Sequence, residues 1–321
     1  MKVGLFTIIL RSQKLEQVLD YVEGLGVHAV ELGCGAYAGV DHCPVDELLK
    51  SGRKAKALLD AVHSRGLKIS ALNCAGNPIH PNRKIAATHD RDFRKALRLA
   101  ERLGVEVVIN FSGCPGDHPG AKWPNWVACP WPPDYLEILK WQWSKVVIPY
   151  WTKTVAFARQ HGVKKIALEM HPGFVVYNPE TLLKLRAAVG PEIGSNFDPS
   201  HLFWQGIDPC AAVRALRGAV FHVHAKDTAI HEWNSRTHGV LDSKHYGDEL
   251  NRSWIFRTVG YGNPRRFWCD FVSALRMTGY DGVLSMEHED SLMTPKEGLE
   301  KGVRFLQSIL LNEAKGAVTW A

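Results

Sequence analysis

Four side chains suited to binding a metal ion stand near the ends of four successive apolar segments in the second half of the chain. They are Glu169, Asp198, His224 and Glu287. Each segment alternates apolar and polar residues, and alternate side chains of a β-strand share a face. A carboxylate on a buried strand costs several kcal/mol unless it is paired or bound to a metal. Three carboxylates and one imidazole therefore predict a site for one divalent cation, with Mn²⁺ as the first choice and Mg²⁺, Co²⁺ or Zn²⁺ as alternatives.

His171 shares the predicted strand face of Glu169 and lies one pleat further out, about 6–7 Å along the strand. That distance is too long for both side chains to take one coordination position, but short enough for His171 to reach a metal-bound substrate. A neutral imidazole is a competent base near pH 7, so His171 is a candidate catalytic base. The alternative is a structural hydrogen bond between His171 and the turn at Pro172 and Gly173.

Other polar side chains near the predicted strand ends are candidates for contact with a substrate. His201, three residues after Asp198, could reach back over the site to hold a substrate oxygen, or it could cap a helix. Lys226 could contact the substrate or form a local ion pair with Asp227. The remaining candidates are Asn73 and His80 after the third predicted strand, Trp233 after the seventh, and Glu31 at the end of the second.

The elements that must position these residues follow one pattern, in which a short apolar run, a polar turn and an amphipathic helix alternate. The predicted strands are 2–8, 28–33, 67–74, 105–112, 164–171, 192–198, 219–226 and 281–288. The predicted helices lie near 14–25, 46–65, 88–103, 134–161, 179–189, 208–217, 267–279 and 295–312. Eight strands, each followed by a helix, predict an α/β fold, a (β/α)8 TIM barrel, as a single domain over 1–321. The rival, an open doubly wound sheet, would normally show a glycine-rich turn after its first strand, and residues 7–12 contain no glycine.

Two connections, 113–133 and 228–266, are too long for simple loops and are predicted insertions at the rim of the barrel. Both follow strands, at the end of the barrel where active sites are built, and long structureless connections are usually lids or binding loops. Both insertions contain tryptophan, and 228–266 also contains arginine. Both residue types are enriched at subunit interfaces, and a homo-oligomer is expected. Residues 295–321 are predicted to form a C-terminal helix and tail.

Composition limits the class of protein. A chain of 321 residues with a hydrophobic content of 45% is typical of a globular protein with a large core. The net charge of +6 is small and the basic residues are scattered, which argues against nucleic acid as a partner. Seven cysteines without a C-x-x-C motif argue against a disulfide framework or a zinc ribbon. No apolar run approaches the roughly 20 residues of a membrane span, and a cytoplasmic location is expected.

Four motifs resemble those of the xylose isomerase-like TIM barrels, the superfamily of sugar isomerases, ketose 3-epimerases and endonuclease IV. They are LEMHP at 168–172, NFDPSH at 196–201, HVHAKD at 222–227 and SMEHED at 285–290. The resemblance covers essentially the whole chain and specifies the superfamily better than the substrate. It implies that the four predicted ligands match the metal ligands of the 3-epimerases, and that His201 matches their substrate-holding histidine. By the same resemblance, Glu169 and Glu287 also move the proton on opposite faces of the sugar.

The chain departs from these relatives at defined places. The epimerases carry a further glutamate soon after the first, where this sequence has residues 174–177, and His171 stands where xylose isomerases have a lysine. Endonuclease IV needs histidines at the ends of the third and fourth strands, where this chain has Asn73 and Asn110, and DNA repair is therefore disfavoured. Another similar barrel is the metal-dependent subunit of C-glycoside-cleaving enzymes, which works with a small partner subunit. His171 and the 228–266 connection favour that comparison.

The resemblance therefore implies a divalent-metal-dependent isomerase or epimerase that removes a proton next to the carbonyl of a keto sugar, through an enediolate. Return of the proton to the other face gives epimerisation, and its return to the neighbouring carbon gives isomerisation. The alternative is a lyase that cleaves an oxidised (3-keto) C- or O-glycoside by the same proton abstraction followed by elimination, with a small partner subunit. A sugar-binding barrel without activity is the third hypothesis, and metal-dependent exchange of a substrate proton would separate it from the other two.

Overall fold

Eight parallel strands close into a barrel in the computed structural model, which describes residues 1–319. In chain order they are β1 (Lys2–Phe6), β2 (Ala29–Gly33), β3 (Lys68–Asn73), β4 (Val107–Phe111), β5 (Lys165–Glu169), β6 (Ile193–Phe197), β7 (Val220–Ala225) and β10 (Val283–Met286). Each strand pairs with its neighbour along the chain, and β10 closes the barrel against β1. The predicted (β/α)8 TIM barrel is confirmed.

Twelve α-helices follow or connect the strands within residues 1–319. They are α1 (Leu15–Gly24), α2 (Val45–Lys50), α3 (Gly52–His63), α4 (Arg83–Leu103), α5 (Asp134–Trp141), α6 (Ile148–Gln160), α7 (Pro179–Val189), α8 (Ser200–Phe203), α9 (Pro209–Ala215), α10 (Glu232–His238), α11 (Arg265–Met277) and α12 (Pro295–Gln307). The prediction of a single helix near 46–65 is wrong in one respect, because this segment forms two helices, α2 and α3, that meet at Ser51. The Ser51 hydroxyl accepts a hydrogen bond from the Lys54 N–H and so caps α3. A π-helical segment, Gln142–Val147, joins α5 to α6.

Strand β5 shows how the barrel sorts its side chains. Ala167 packs with residues of β3 and β4 in a small apolar cluster inside the barrel. Ile166 and Leu168 belong to the large core between the strands and the helices. The predicted alternation along this strand is confirmed, and it places Glu169, which ends β5, on the same side as Ala167.

The two rim insertions differ in structure. Residues 112–133 contain no helix or strand, as the sequence predicts. The prediction of a structureless 228–266 connection is wrong, because this insertion contains an antiparallel hairpin of β8 (Asp227–Ile230) and β9 (Trp254–Arg257), with α10 between the two strands. The Asp227 carboxylate anchors the hairpin by accepting hydrogen bonds from three backbone N–H groups, those of Gly260, Gly262 and Asn263, each at 3.0 Å.

The C-terminal helix is confirmed as α12. The tail predicted to reach residue 321 extends beyond the described residues. Among residues 1–319, no helix combines the length and the apolar character needed to cross a membrane.

Candidate metal centre

The four predicted metal ligands meet at the carboxyl ends of the barrel strands. Glu169 ends β5, Asp198 follows β6, His224 lies in β7 and Glu287 follows β10. One candidate ligand atom from each of the four residues lies within 4.8 Å of the other three. His224 Nδ1 is 3.2 Å from Glu169 Oε2 and 3.1 Å from Glu287 Oε2. Barrel closure brings these strand ends together, and the strand alternation turns the side chains toward the axis.

The donor set fits a divalent cation. Asp198 Oδ2 and His224 Nδ1 are both buried, yet neither makes a hydrogen bond within residues 1–319. Each atom does lie within ion-pair distance of a charged neighbour. Asp198 Oδ2 is 3.1 Å from Lys226 Nζ and His224 Nδ1 is 3.1 Å from Glu287 Oε2, but the bond angles do not allow a hydrogen bond. An unsatisfied buried polar atom is costly, so two such atoms in one cluster of carboxylate oxygens and imidazole nitrogen indicate that the cluster is built to bind a cation.

A second carboxylate, Glu31, supports His224 from the interior of the barrel. His224 Nε2 lies 3.0 Å from Glu31 Oε1, and the Glu31 carboxylate also accepts hydrogen bonds from Asn73 Nδ2 at 2.7 Å and Ser285 Oγ at 2.8 Å. Burial alone lowers the pKa of His224, but the Glu31 and Glu287 carboxylates raise it well above its usual value. A histidine ligand held by a carboxylate on its second nitrogen has a fixed tautomer and orientation, and here Nδ1 is directed at the cluster.

Lys226 supplies the positive charge that the cluster requires. Its ammonium lies 2.7 Å from Glu287 Oε2, 2.9 Å from Glu289 Oε2 and 3.1 Å from Asp198 Oδ2. Burial lowers the pKa of Lys226, but these three carboxylates outweigh burial and raise it well above its usual value. The ion pair of Lys226 with Asp227, left open by the sequence, is not formed, because Asp227 is engaged with the hairpin.

Two further histidines lie over the carboxylates. His201 Nε2 is 3.2 Å from both Glu169 Oε1 and Asp198 Oδ2, and its ring centroid is 4.1 Å from that of His171. His171 follows the end of β5 at Glu169, so the predicted strand is two residues too long. Its Nδ1 lies 2.6 Å from the Pro172 carbonyl oxygen and therefore donates, which leaves Nε2 free of this turn. Burial, with the charge of His201, lowers the pKa of His171 to about 3, and the ring is neutral.

A cavity of about 470 Å³ opens beside the cluster. It is lined by His171, Tyr246, Gly247, Ile255, Phe256, Glu289 and Ser291. Sequence reasoning did not single out Tyr246, Phe256 or Glu289 as site residues. The signals that could have found them were the aromatic content of the 228–266 connection and the spacing of two residues that puts Glu289 on the same predicted strand face as Glu287.

The predicted substrate contacts separate into two groups. His171, His201 and Lys226 lie at the cluster. Asn73 is buried with only 2% exposure and is committed to Glu31, while His80 Nδ1 accepts the Asn82 N–H in the connection before α4. Trp233 is 83% exposed on α10 and does not line the cavity, although other residues of the same insertion do.

A closed eight-stranded barrel with these polar strand ends defines the class of protein. The family model of the xylose isomerase-like TIM barrels matches residues 19–309, and the chain belongs to that family. The chain is 41% identical to an uncharacterized protein, YfiH, of Bacillus subtilis (strain 168). The match extends over 312 residues and covers 97% of this chain and 99% of that protein.

Solved structures share the fold at lower identity. A D-tagatose 3-epimerase-like protein superposes with a TM-score of 0.63 at 22% identity, over 96% of this chain and 98% of that one. The IolI protein with a bound zinc atom superposes with a TM-score of 0.65 at 19% identity, over 97% of this chain and 98% of that one. The probable 3-DHS dehydratase AsbF of Bacillus anthracis, involved in petrobactin synthesis, superposes with a TM-score of 0.65 at 17% identity. The match covers 96% of this chain and 99% of that one.

Proposed function

We propose that the protein is a divalent-metal-dependent isomerase or epimerase that removes a proton from the carbon next to the carbonyl of a keto sugar. The observation that carries this proposal is the convergence of Glu169, Asp198, His224 and Glu287. Two buried atoms of this set, one from Asp198 and one from His224, make no hydrogen bond with any residue in 1–319. The 3-epimerase-like structural neighbour and the zinc bound by another neighbour support it. Mn²⁺ is our first choice for the metal, with Mg²⁺, Co²⁺ and Zn²⁺ as alternatives.

A divalent cation held by these four residues would supply Lewis-acid stabilisation of the negative charge that develops on the substrate oxygens. Glu169 Oε2 and Glu287 Oε2 lie 3.2 Å and 3.1 Å from His224 Nδ1. We assign one of these carboxylates to take the substrate proton and the other to return it. Within residues 1–319, the ion pairs of Glu287 involve Oε2, and Oε1 is the atom available for proton transfer. Although burial raises it, the charges of Lys226 and His224 lower the pKa of Glu287 to about 2 and keep it ionised.

Elimination from an oxidised glycoside is the second candidate. It begins with the same proton abstraction, and the 470 Å³ cavity beside His171 provides space for a group beyond the reacting sugar. A structural neighbour is described as a probable dehydratase, and dehydratases eliminate water from their substrates. A small partner subunit, a homo-oligomer and a cytoplasmic location stay predictions from the sequence.

Exchange of a substrate proton with solvent tests the common step. The metal-loaded protein in D₂O is expected to introduce deuterium at the carbon next to the carbonyl of at least one member of a panel of free ketoses and 3-keto glycosides. Mass spectrometry measures the exchange, and a sample from which EDTA has removed the metal is the control. Release of an aglycone would identify elimination. The Glu169→Gln variant should exchange roughly 10²–10⁴ times more slowly. Absence of metal-dependent exchange across the whole panel would refute the proposal and leave a binding protein.

His171→Asn separates a catalytic from a structural role of His171. Asparagine can still donate a hydrogen bond to the Pro172 carbonyl oxygen, but it lacks the second ring nitrogen that faces away from this turn. If that nitrogen takes or orients a substrate proton, turnover should fall roughly 10²–10⁴-fold with unchanged metal content and melting temperature. Near-normal turnover would assign proton transfer to Glu169 and Glu287 alone.

A further inference from the structure

The cavity beside the metal centre has one wall from the barrel and one from the hairpin insertion. On the barrel side, His171 packs against His201, and Glu289 shares the Lys226 ammonium with Glu287. On the other side are four residues of the insertion, Tyr246, Gly247, Ile255 and Phe256. The cavity is therefore separated from the predicted metal ligands by one side chain, because His201 contacts Glu169 and Lys226 contacts Glu287. Its 470 Å³ lies within the roughly 300–1,000 Å³ typical of small-molecule sites.

Two aromatic rings form most of the wall from the insertion. The rings of Tyr246 and Phe256 are stacked, with centroids 5.6 Å apart and planes at 20°. Phe256 is almost buried, whereas Tyr246 keeps 54% of its surface exposed. An aromatic face of this kind favours contact with another planar or apolar ring.

A buried arginine fixes the shape of this wall. The Arg252 guanidinium lies 4.5 Å from the centroid of Tyr246 and 4.6 Å from that of Trp254. Arg252 Nε donates to the Trp254 carbonyl oxygen at 3.1 Å, and Nη1 donates to the Lys244 carbonyl oxygen. The loop that carries Tyr246 is thereby attached to β9, and a wall formed before binding lowers the entropic cost of binding a rigid ligand.

Charge argues against an anionic ligand in this cavity. The neighbouring cation, Lys226, is shared among three carboxylates, and one of these, Glu289, lines the cavity and would repel an anion. The other polar side chains of the lining are the His171 ring, the Tyr246 hydroxyl and the Ser291 hydroxyl. A phosphate or carboxylate group would lose its hydration here without gaining a free cation in exchange.

We infer that this cavity is a subsite for an uncharged, planar apolar substituent of the substrate, such as an aromatic ring. This inference rests on the proposed function, in which the sugar portion lies at the metal centre. The substrate is then a sugar that carries a second, apolar ring, and a phosphate group does not occupy this subsite.

Three probes that do not react test the subsite: phenyl β-D-glucopyranoside, methyl β-D-glucopyranoside and glucose 6-phosphate. Calorimetric titration should show that the phenyl glucoside binds about 10-fold or more tightly than the methyl glucoside, and saturation-transfer NMR should place its aromatic protons against the protein. Tyr246→Ala should remove most of this preference and leave the affinity for the methyl glucoside unchanged. Glucose 6-phosphate should bind no better than the methyl glucoside.

The matched control is Tyr261→Ala. Tyr261 is a similarly half-exposed tyrosine that packs on Arg257 and Lys301 outside the cavity, and its removal should leave both affinities unchanged. Ser291→Trp, at an exposed lining position, should block the phenyl group if Tyr246→Ala fails to fold. Equal affinities of phenyl and methyl glucosides for the wild type, or equal effects of the two tyrosine substitutions, would overturn the inference. A phenyl preference that survives in Glu287→Gln would support the subsite even if the metal-dependent reaction were disproved.

Discussion

Glu287→Gln should abolish stoichiometric binding of a divalent metal while leaving the barrel folded. The carboxylate oxygen that lies 3.1 Å from His224 Nδ1 is replaced by an amide, which is uncharged and a poorer ligand. Removing a residue that hydrogen-bonds to a metal ligand lowers metal affinity about 10–100-fold. Removing the ligand itself should therefore lower metal affinity by more than about 100-fold. Proton exchange on the substrate should be lost together with the metal. Elemental analysis and a metal titration of the purified variant measure the effect.

Glu289→Gln provides the matched control for this substitution. Glu289 stands two residues further along the chain and contacts the same Lys226 ammonium at 2.9 Å, but it is not one of the four clustered ligands. Metal affinity should change by less than about 10-fold, since Lys226 keeps its contacts with Glu287 and Asp198. Wild-type metal content in Glu287→Gln, or equal losses in the two variants, would remove Glu287 from the metal site.

Period-two alternation was sufficient to predict the four candidate ligands, because each is positioned by its own strand. In β5, Ala167 and Glu169 share the inner face while Ile166 and Leu168 face the helices, and this follows from local sequence alone. The convergence of four such strands then follows from closure of the barrel. The end of β5 was harder to predict, because the His171 N–H bonds to the Val176 carbonyl oxygen across a turn rather than continuing the strand.

Contacts between distant segments that do not follow from the closure of the barrel could not be predicted from the sequence. Glu31 and His224 are 193 residues apart, and the local sequence around Glu31 gives no sign that its carboxylate lies beneath a histidine of β7. The hairpin of β8 and β9 was missed for a similar reason. Its two strands have four residues each and are separated by residues 231–253, so the pairing is not specified by a short turn.

Lys226→Met should destabilise the metal-free protein more than any surface substitution. Methionine retains the length and apolar stem of the side chain but leaves Asp198 and Glu287 buried close together with no ammonium between them. Removing one partner of a buried ion pair costs about 3–5 kcal/mol. For a chain of this size that corresponds to a fall in the melting temperature of about 6–10 °C, at roughly 2 °C per kcal/mol. Thermal unfolding in the presence of EDTA measures the shift.

Divalent metal should restore much of the lost stability, because a cation at the cluster compensates the same carboxylates that Lys226 compensates. Any ligand that binds only the folded state stabilises by mass action, about 2.7 kcal/mol at 100 times its dissociation constant. The variant should gain more than the wild type, in which the charge of the ammonium, 2.7 Å from Glu287 Oε2 and 3.1 Å from Asp198 Oδ2, already offsets part of the repulsion between these carboxylates. Lys301→Met, which removes a surface ion pair with Glu297, should have little effect with or without metal. If metal raised the melting temperatures of Lys226→Met and the wild type equally, the carboxylates around Lys226 would not be the metal's ligands.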